Sequence, residues 1–128
     1  MREILFRGKR KDNGEWDFGD LEHNGKNVPK WVNGNEIVPE SVGQFTGLTD
    51  KNGKKIFEGD IVRYETIDRN GYDGIYKVVF EDRNGCGYFG IAYCDIETCC
   101  FCYSVPASQM EVIGNIYDSP ELLRSKNG

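Results

Sequence analysis

Apolar and polar positions alternate along this chain in short runs, and glycine or Asn-Gly ends most runs before a helical period can develop. "EILFRGKR" and "EWDFGDL" carry a period of two and meet around Asn13-Gly14, a dipeptide that accepts the positive φ angles of a type I′ turn. The pattern predicts a hairpin with strands over 2–10 and 15–22. Asn24-Gly25 and Asn33-Gly34 mark two further turns, leading into "VPKWV" and "EIV". Pro29 and Pro39 each delete a ladder hydrogen bond, which assigns these runs to an edge or to loops.

The stretch "GQFTGLTDKNGKKIFEGDIV", Gly43 to Val62, continues the alternation. It reads as a short strand, "QFTGL" (Gln44 to Leu48), a turn closed at Asn52-Gly53, and two strand halves bent at Glu58-Gly59-Asp60. Glycine permits such a corner, and the Asp60 carboxylate can accept hydrogen bonds from backbone N–H groups beside it. "IYKVVFE", "YFGIAY" and "MEVIGNIYD" are the remaining strand-like runs. One helix is predicted, in "SPELLR": Ser119 is a capping residue, Pro120 lacks only an N–H the first turn leaves unused, and Glu121 faces the positive end of the dipole. These elements give an all-β protein. A β-hairpin region over 1–42 packs on a small, strongly bent barrel over 43–118, and a short helix and tail fill 119–128, with one compact domain overall as an alternative division. The expected core is Leu5, Trp16, Phe18, Phe45, Leu48, Ile56, Ile61, Val62, Val78, Phe80, Ile113 and Ile116.

Composition supports a thin core rich in aromatic residues. The apolar share is 38% and the mean hydropathy −0.58, yet 7 Phe, 7 Tyr and 2 Trp each supply a large buried area. The net charge of −5 opposes contact with phosphate backbones or anionic lipid. No run approaches the length of a membrane helix, and the first residues lack the apolar stretch of a secretion signal, so a cytoplasmic setting is expected. There the odd number of cysteines, 5, speaks for thiols rather than a disulfide framework.

Several patterns could carry chemistry, and each has a plainer structural explanation. "GCGYFG", Gly85 to Gly90, fits the dinucleotide fingerprint, but the residues after it are β-branched, aromatic and acidic, so no helix is expected there to receive a pyrophosphate. Asp50, Asn52 and Glu58 could be oxygen ligands of a calcium loop, but glycine falls at the fourth position, where that loop needs it at the sixth. Cys94, Cys99, Cys100 and Cys102, with Cys86 upstream, could supply thiolates to a metal; their spacing is not that of a zinc knuckle, and core packing explains them equally. Asp95 and Glu97 share a strand face and form the one arrangement suited to a metal-dependent hydrolase. Two acids on a solvated face are the commoner case. His23, the only histidine, has no partner pattern for a catalytic triad. Arg7, Lys9, Arg10 and Lys11 form the one basic concentration, and Trp16, Phe18 and Trp31 could offer stacking faces beside it. A basic hairpin tip that discourages edge-to-edge pairing accounts for the same charges. Asn13, Gly14, Gly47, Asn52, Gly53, Gly59 and Asp60 are read as turn-forming residues, not ligands.

The block "VPESVGQFTGLTDKNGKKIFEGDIV" (Val38 to Val62), with "EILFRGKRKDNGEWDFGDL" before it and "EVIGNIYDSPELL" (Glu111 to Leu123) after it, resembles the YopX family of phage and prophage proteins. The resemblance implies an all-β fold with an SH3-like C-terminal part, and an accessory role in a bacterial cytoplasm that carries phage genes. It supplies no cofactor or catalytic residue to carry over. The expected function is therefore a non-enzymatic module that binds another protein or its own copies. The alternative is a nucleic-acid-binding module using Arg7, Lys9, Arg10, Lys11, Trp16 and Trp31. No small-molecule substrate, cofactor or membrane partner is expected.

Overall fold

The structure, a computed structural model, describes residues 4–64, 74–83, 86–92, 98–100 and 107–124. It forms two compact units, Met1–Gly47 and Leu48–Gly128. Strands dominate both, in three antiparallel sheets.

In the first unit β1 (Phe6–Lys9) pairs with β2 (Trp16–Gly19), with Arg7 opposite Phe18 and Lys9 opposite Trp16. The connection differs from the expected two-residue turn. Arg10 N–H donates to the Glu15 carbonyl (2.9 Å) and Gly14 N–H to the Arg10 carbonyl (3.0 Å), and within the Asn13-Gly14 pair only Gly14 has a positive φ, of 73°. The hairpin opens early because the end of β1 is engaged elsewhere: Lys11 N–H donates to the Glu36 carbonyl (3.0 Å) and Val38 N–H to the Lys9 carbonyl (2.8 Å). The two-residue turn occurs instead at Asn33 (φ 54°) and Gly34 (φ 80°), between the paired residues Val32 and Asn35. These residues join β4 (Pro29–Val32) to β5 (Asn35–Glu36), and β3 (Leu21–His23) pairs with β4 on its other side. Pro29 stands at the first position of β4, beside a register shift, where its missing N–H does least harm. Val32 and Ile37 are fully buried in this unit, and Phe45 nearly so. Phe45 lies on β6 (Gly43–Thr49), which starts beside β1 and passes into the second unit.

The second unit continues through a turn at Asp50 to Lys54 into β7 (Lys55–Phe57). It is built on β8 (Asp60–Tyr64), β9 (Gly74–Arg83), β10 (Cys86–Ala92), β11 (Thr98–Cys100) and β12 (Met110–Asn115), in the order β11-β10-β9-β8-β12. Ile56, Val62, Tyr64, Tyr76, Val78, Ile91, Ala107 and Met110 form its core. Each buried Ile, Val or Met there contributes about 1.5–3 kcal/mol through loss of apolar contact with water. Helix α1 (Glu121–Arg124) follows Pro120 as expected, buries Leu123, and sets Leu122 over Gly114, where an added Cβ would come within 2.9 Å of Leu122 Cδ1.

Four of the expected core residues are exposed: Phe18, Leu48, Phe80 and Ile116. Phe80 continues the buried Tyr76–Val78 row of β9 past the end of the core, where it meets Phe89 edge-on at 5.1 Å. Ile116 lies in the turn after β12, not within the strand. The sheets remain open among the described residues, in place of the closed barrel expected from the spacing of turns.

Two buried carboxylates fix the corners of the second unit. Asp50 Oδ1 accepts the N–H of Asn52 (2.8 Å) and of Lys54 (2.9 Å), while its Oδ2 accepts the N–H of Val112 (2.9 Å) on β12. Lys51 N–H donates to the Met110 carbonyl at 2.9 Å, so the turn lies along the outer edge of β12. Asp60 Oδ2 accepts the N–H of Phe57 at 2.7 Å across the Gly59 corner. Gly59, at φ 95°, donates its own N–H to the Val78 carbonyl (2.9 Å) and accepts from Ile116 (2.8 Å).

Burial pushes the Asp50 carboxyl up, but the N–H donors of Val112, Lys54 and Asn52, aided by the Lys54 charge, outweigh it and hold the group below the usual carboxylate range. A lowered folded-state pKa stabilises the fold above the ordinary carboxylate range, and that contribution is lost as pH falls through the folded value. Asp50→Ala should therefore cost about 3 kcal/mol near neutrality and Asp50→Asn less, because charge-assisted bonds to backbone N–H groups are lost or weakened. Urea unfolding across a pH series checks this. The gap between wild type and Asp50→Asn should shrink as the solution is acidified, and a gap that stays constant would refute the assignment.

Candidate functional site

The β1–β2 ladder sorts its side chains by the two-residue period. Phe6, Gly8, Asp17 and Gly19 take one face, and Arg7, Lys9, Trp16 and Phe18 take the other. The first face is committed to the β3–β4–β5 layer. Gly8 lets Ile37 approach so closely that an added Cβ would lie 3.1 Å from the Ile37 side chain. Asp17 then ties the layers: its Oδ2 accepts Asn35 Nδ2 (2.6 Å), and its Oδ1 accepts the Phe18 N–H (2.9 Å) and, at 3.4 Å, Asn33 Nδ2. The hydrogen bond from Asn35 holds the Asp17 carboxyl below its usual range, against the opposing effect of burial.

On the second face the cations and aromatic rings sort into distinct environments. Arg7 is 8% exposed, and its guanidinium lies 4.7 Å from the Trp16 ring centre, with Lys9 Nζ at 5.7 Å. Such contacts contribute roughly 0.5–2 kcal/mol each, depending on desolvation. Phe18, two residues along β2 from Trp16, is 47% exposed. Arg10 is turned away into a two-pronged pair with Asp12 (3.0 and 2.7 Å), and Lys11 pairs with Glu36 at 3.2 Å. Trp31 lies on β4, in the other sheet of the unit, with Lys30 Nζ 5.2 Å from its ring centre. The structure thus brings Arg7, Lys9 and Trp16 together and places Arg10, Lys11 and Trp31 elsewhere. An open cleft of about 590 Å³ lies in the same unit, lined by Phe6, Asp20, Leu21, Glu22, Asn33 and Gly34.

The remaining candidates separate in the same way. The Asp50 carboxylate is engaged by backbone N–H groups, as described above. "GCGYFG" falls within and just before β10, a strand paired antiparallel with β9. Cys86 lies on β10, and Cys99 and Cys100 lie on β11 opposite Ile91 and Gly90. Cys94, Cys102, Asp95 and Glu97 fall outside the described residues. Among the described residues no three His, Cys, Asp or Glu groups converge as a metal site, and no helix is long and apolar enough to cross a membrane.

A family model described as "YopX protein" matches residues 5–124. The chain belongs to the YopX family. Its fold is similar to the crystal structure of protein EF1440 from Enterococcus faecalis, at 25% sequence identity and a TM-score of 0.62, over 96% of this chain and 99% of that one. No curated protein matches it.

Sequence reasoning placed Phe18 in the core and passed over Lys30 and the Asp17–Asn33–Asn35 tie. Alternation alone gives two faces without saying which is covered. The signal was Gly8, whose missing side chain marks the face that another layer approaches. In this YopX-family chain Asp17→Ala should cost about 1–2 kcal/mol by leaving two amides and one N–H without their acceptor. Thermal unfolding of the variant measures it; an unchanged midpoint would show that the tie contributes nothing.

Proposed function

We propose that this YopX-family chain is a non-enzymatic protein-recognition module that acts through the β1–β2 face carrying Trp16 and Phe18. The observation that carries the reading is the exposure of Phe18, 47%, beside a Trp16 already bracketed by Arg7 and Lys9. Single exposed apolar residues are ordinary on protein surfaces. Two aromatic side chains on one strand face beside a basic pair are the composition of an interface centre, where aromatic and Arg residues contribute most of the binding energy. The engagement of Arg10 by Asp12 and of Lys11 by Glu36 supports a protein partner over a nucleic acid, because it reduces the cationic row available to phosphates. We read the second unit as a strongly bent, SH3-like support. The setting is the bacterial cytoplasm, and the role is accessory to a phage or prophage. A second copy of the chain is the self-associating form of the same reading.

Affinity capture from phage-bearing cells, with and without nuclease, tests this. A protein should be recovered in both arms, and Phe18→Ser should weaken its capture about tenfold or more, equivalent to about 1.4 kcal/mol, with thermal stability preserved. Loss of every partner after nuclease, or undiminished capture by Phe18→Ser, overturns the proposal.

A further inference from the structure

Asn-Gly pairs are chemically labile as well as turn-forming. The glycine nitrogen can attack the asparagine side-chain carbonyl carbon, and the absence of a Cβ on the glycine leaves the approach unhindered. Two local conditions govern the rate in a folded chain. The carbonyl carbon must be held over the next peptide nitrogen, as in any near-attack arrangement, and that nitrogen's N–H must not be tied up in another hydrogen bond.

The four Asn-Gly pairs within the described residues separate cleanly by these conditions. Asn13 Oδ1 accepts the N–H two residues on, at Glu15 (2.9 Å), which folds its side chain over the Gly14 nitrogen. Gly14 N–H, however, is bound to the Arg10 carbonyl at 3.0 Å. Asn52 also fails, since Gly53 N–H is bound to the Asp50 carbonyl at 3.0 Å. At Asn33 the Gly34 N–H has no acceptor among the described residues, but the side chain is drawn off toward Asp17 (3.4 Å), in a tight turn at φ 54°. Only Asn24 meets both conditions. Its Oδ1 accepts the N–H of Lys26 (2.8 Å) and of Val28 (3.1 Å), and Gly25 N–H has no acceptor among the described residues. Apart from Gly25 itself and its chain neighbours, no atom lies within 4 Å of where a Gly25 Cβ would stand, and Gly25 is exposed, so water reaches the site.

We infer that Asn24-Gly25, in the β3–β4 loop, is a self-modification site at which the chain deamidates through a cyclic imide. The Gly25 nitrogen gives its proton to solvent base and bonds to Asn24 Cγ. Negative charge develops on Oδ1, where the Lys26 and Val28 N–H groups stabilise it as an oxyanion hole would. The Cγ–Nδ2 bond then breaks, and Nδ2 takes up a proton and leaves as ammonia. Water opens the five-membered imide at either carbonyl, leaving aspartate or isoaspartate at position 24 and one more negative charge on the loop. No oxidant, metal or enzyme is required.

Peptide mapping by mass spectrometry of the full chain, held folded in mildly alkaline buffer, tests this against the same chain in denaturant. Among these four pairs in the folded chain, the one-dalton gain should appear at Asn24 first, on the order of tenfold faster than at Asn13, Asn33 or Asn52. In denaturant the four rates should converge. Gly25→Ala, confirmed folded by circular dichroism, should slow the reaction at Asn24 and leave the other three unchanged. The inference is overturned if Asn13, Asn33 or Asn52 matches Asn24 in the folded chain, or if folding slows Asn24, which would mean that the two hydrogen bonds to Oδ1 lock the side chain instead of priming it.

Discussion

The second unit depends on one carboxylate being consumed by backbone. Asp50 gathers N–H groups from its own turn and from Val112, separated from it by most of the unit's sequence, so a local turn and the last strand of the sheet are fixed by the same two oxygens. The alternative for a buried carboxylate is costly: without donors it would be protonated or would draw in water. Once Asp50 holds Val112, Lys51 is placed to donate to Met110 O, and the fully buried Met110 side chain is fixed in the core beside Tyr64 and Ile56. The Asp60–Phe57 bond does the same over a shorter span and sets the corner from which β8 departs. Asp50, which could be a calcium ligand in the sequence, is therefore part of the scaffold.

In the first unit the equivalent decision is made by a residue with no side chain. Gly8 admits Ile37, Ile37 becomes fully buried, and the face of β1–β2 that carries Gly8 and Asp17 is used up. Arg7, Lys9, Trp16 and Phe18 share the opposite face by pleating alone. On that face Phe18 is exposed, Lys9 and Trp16 are half-buried and Arg7 is buried, and its membership follows from register, not from a surplus of basic residues.

Much of the strand layout was legible because it rests on local rules. Gly53 and Gly59 occupy positive-φ corners, the run through Val78 is a strand, and Ser119-Pro120-Glu121 opens a short helix. What was not legible depends on distant partners. The Asn13-Gly14 hairpin opens early because Lys9 to Lys11 pairs with Glu36 to Val38, a contact between segments separated by the turns at Asn13, Asn24 and Asn33. Ile37, one residue from a loop and two from Pro39, gives no periodic signal of its full burial. Phe80 has the alternation of a core residue but lies beyond the buried Tyr76 and Val78 of its row. The candidate site was legible in membership for Arg7, Lys9 and Trp16. It was illegible in state, since nothing in "RGKRKD" reveals that Arg10 folds back on Asp12 while Arg7 lies over a ring.

The two units share a device that bears on how either could recognise a partner. β12 ends the five-stranded sheet, its outer edge partly covered by the turn at Asp50 to Lys54, and β2 ends its own; a sheet edge is where another chain could add a strand. At β12 the Val112 N–H is taken by Asp50, and at β2 the Phe18 N–H is taken by Asp17. A strand arriving at either edge would have to displace a carboxylate from a charge-assisted hydrogen bond, at a cost of roughly 1.5–3 kcal/mol before its first new bond formed. Side chains on the β1–β2 face need no such displacement. Phe18 combines the two features, with its N–H closed to strand addition by Asp17 and its ring left exposed on the face beside Trp16. Strand addition is therefore disfavoured at these two positions, by a margin set by the carboxylates themselves.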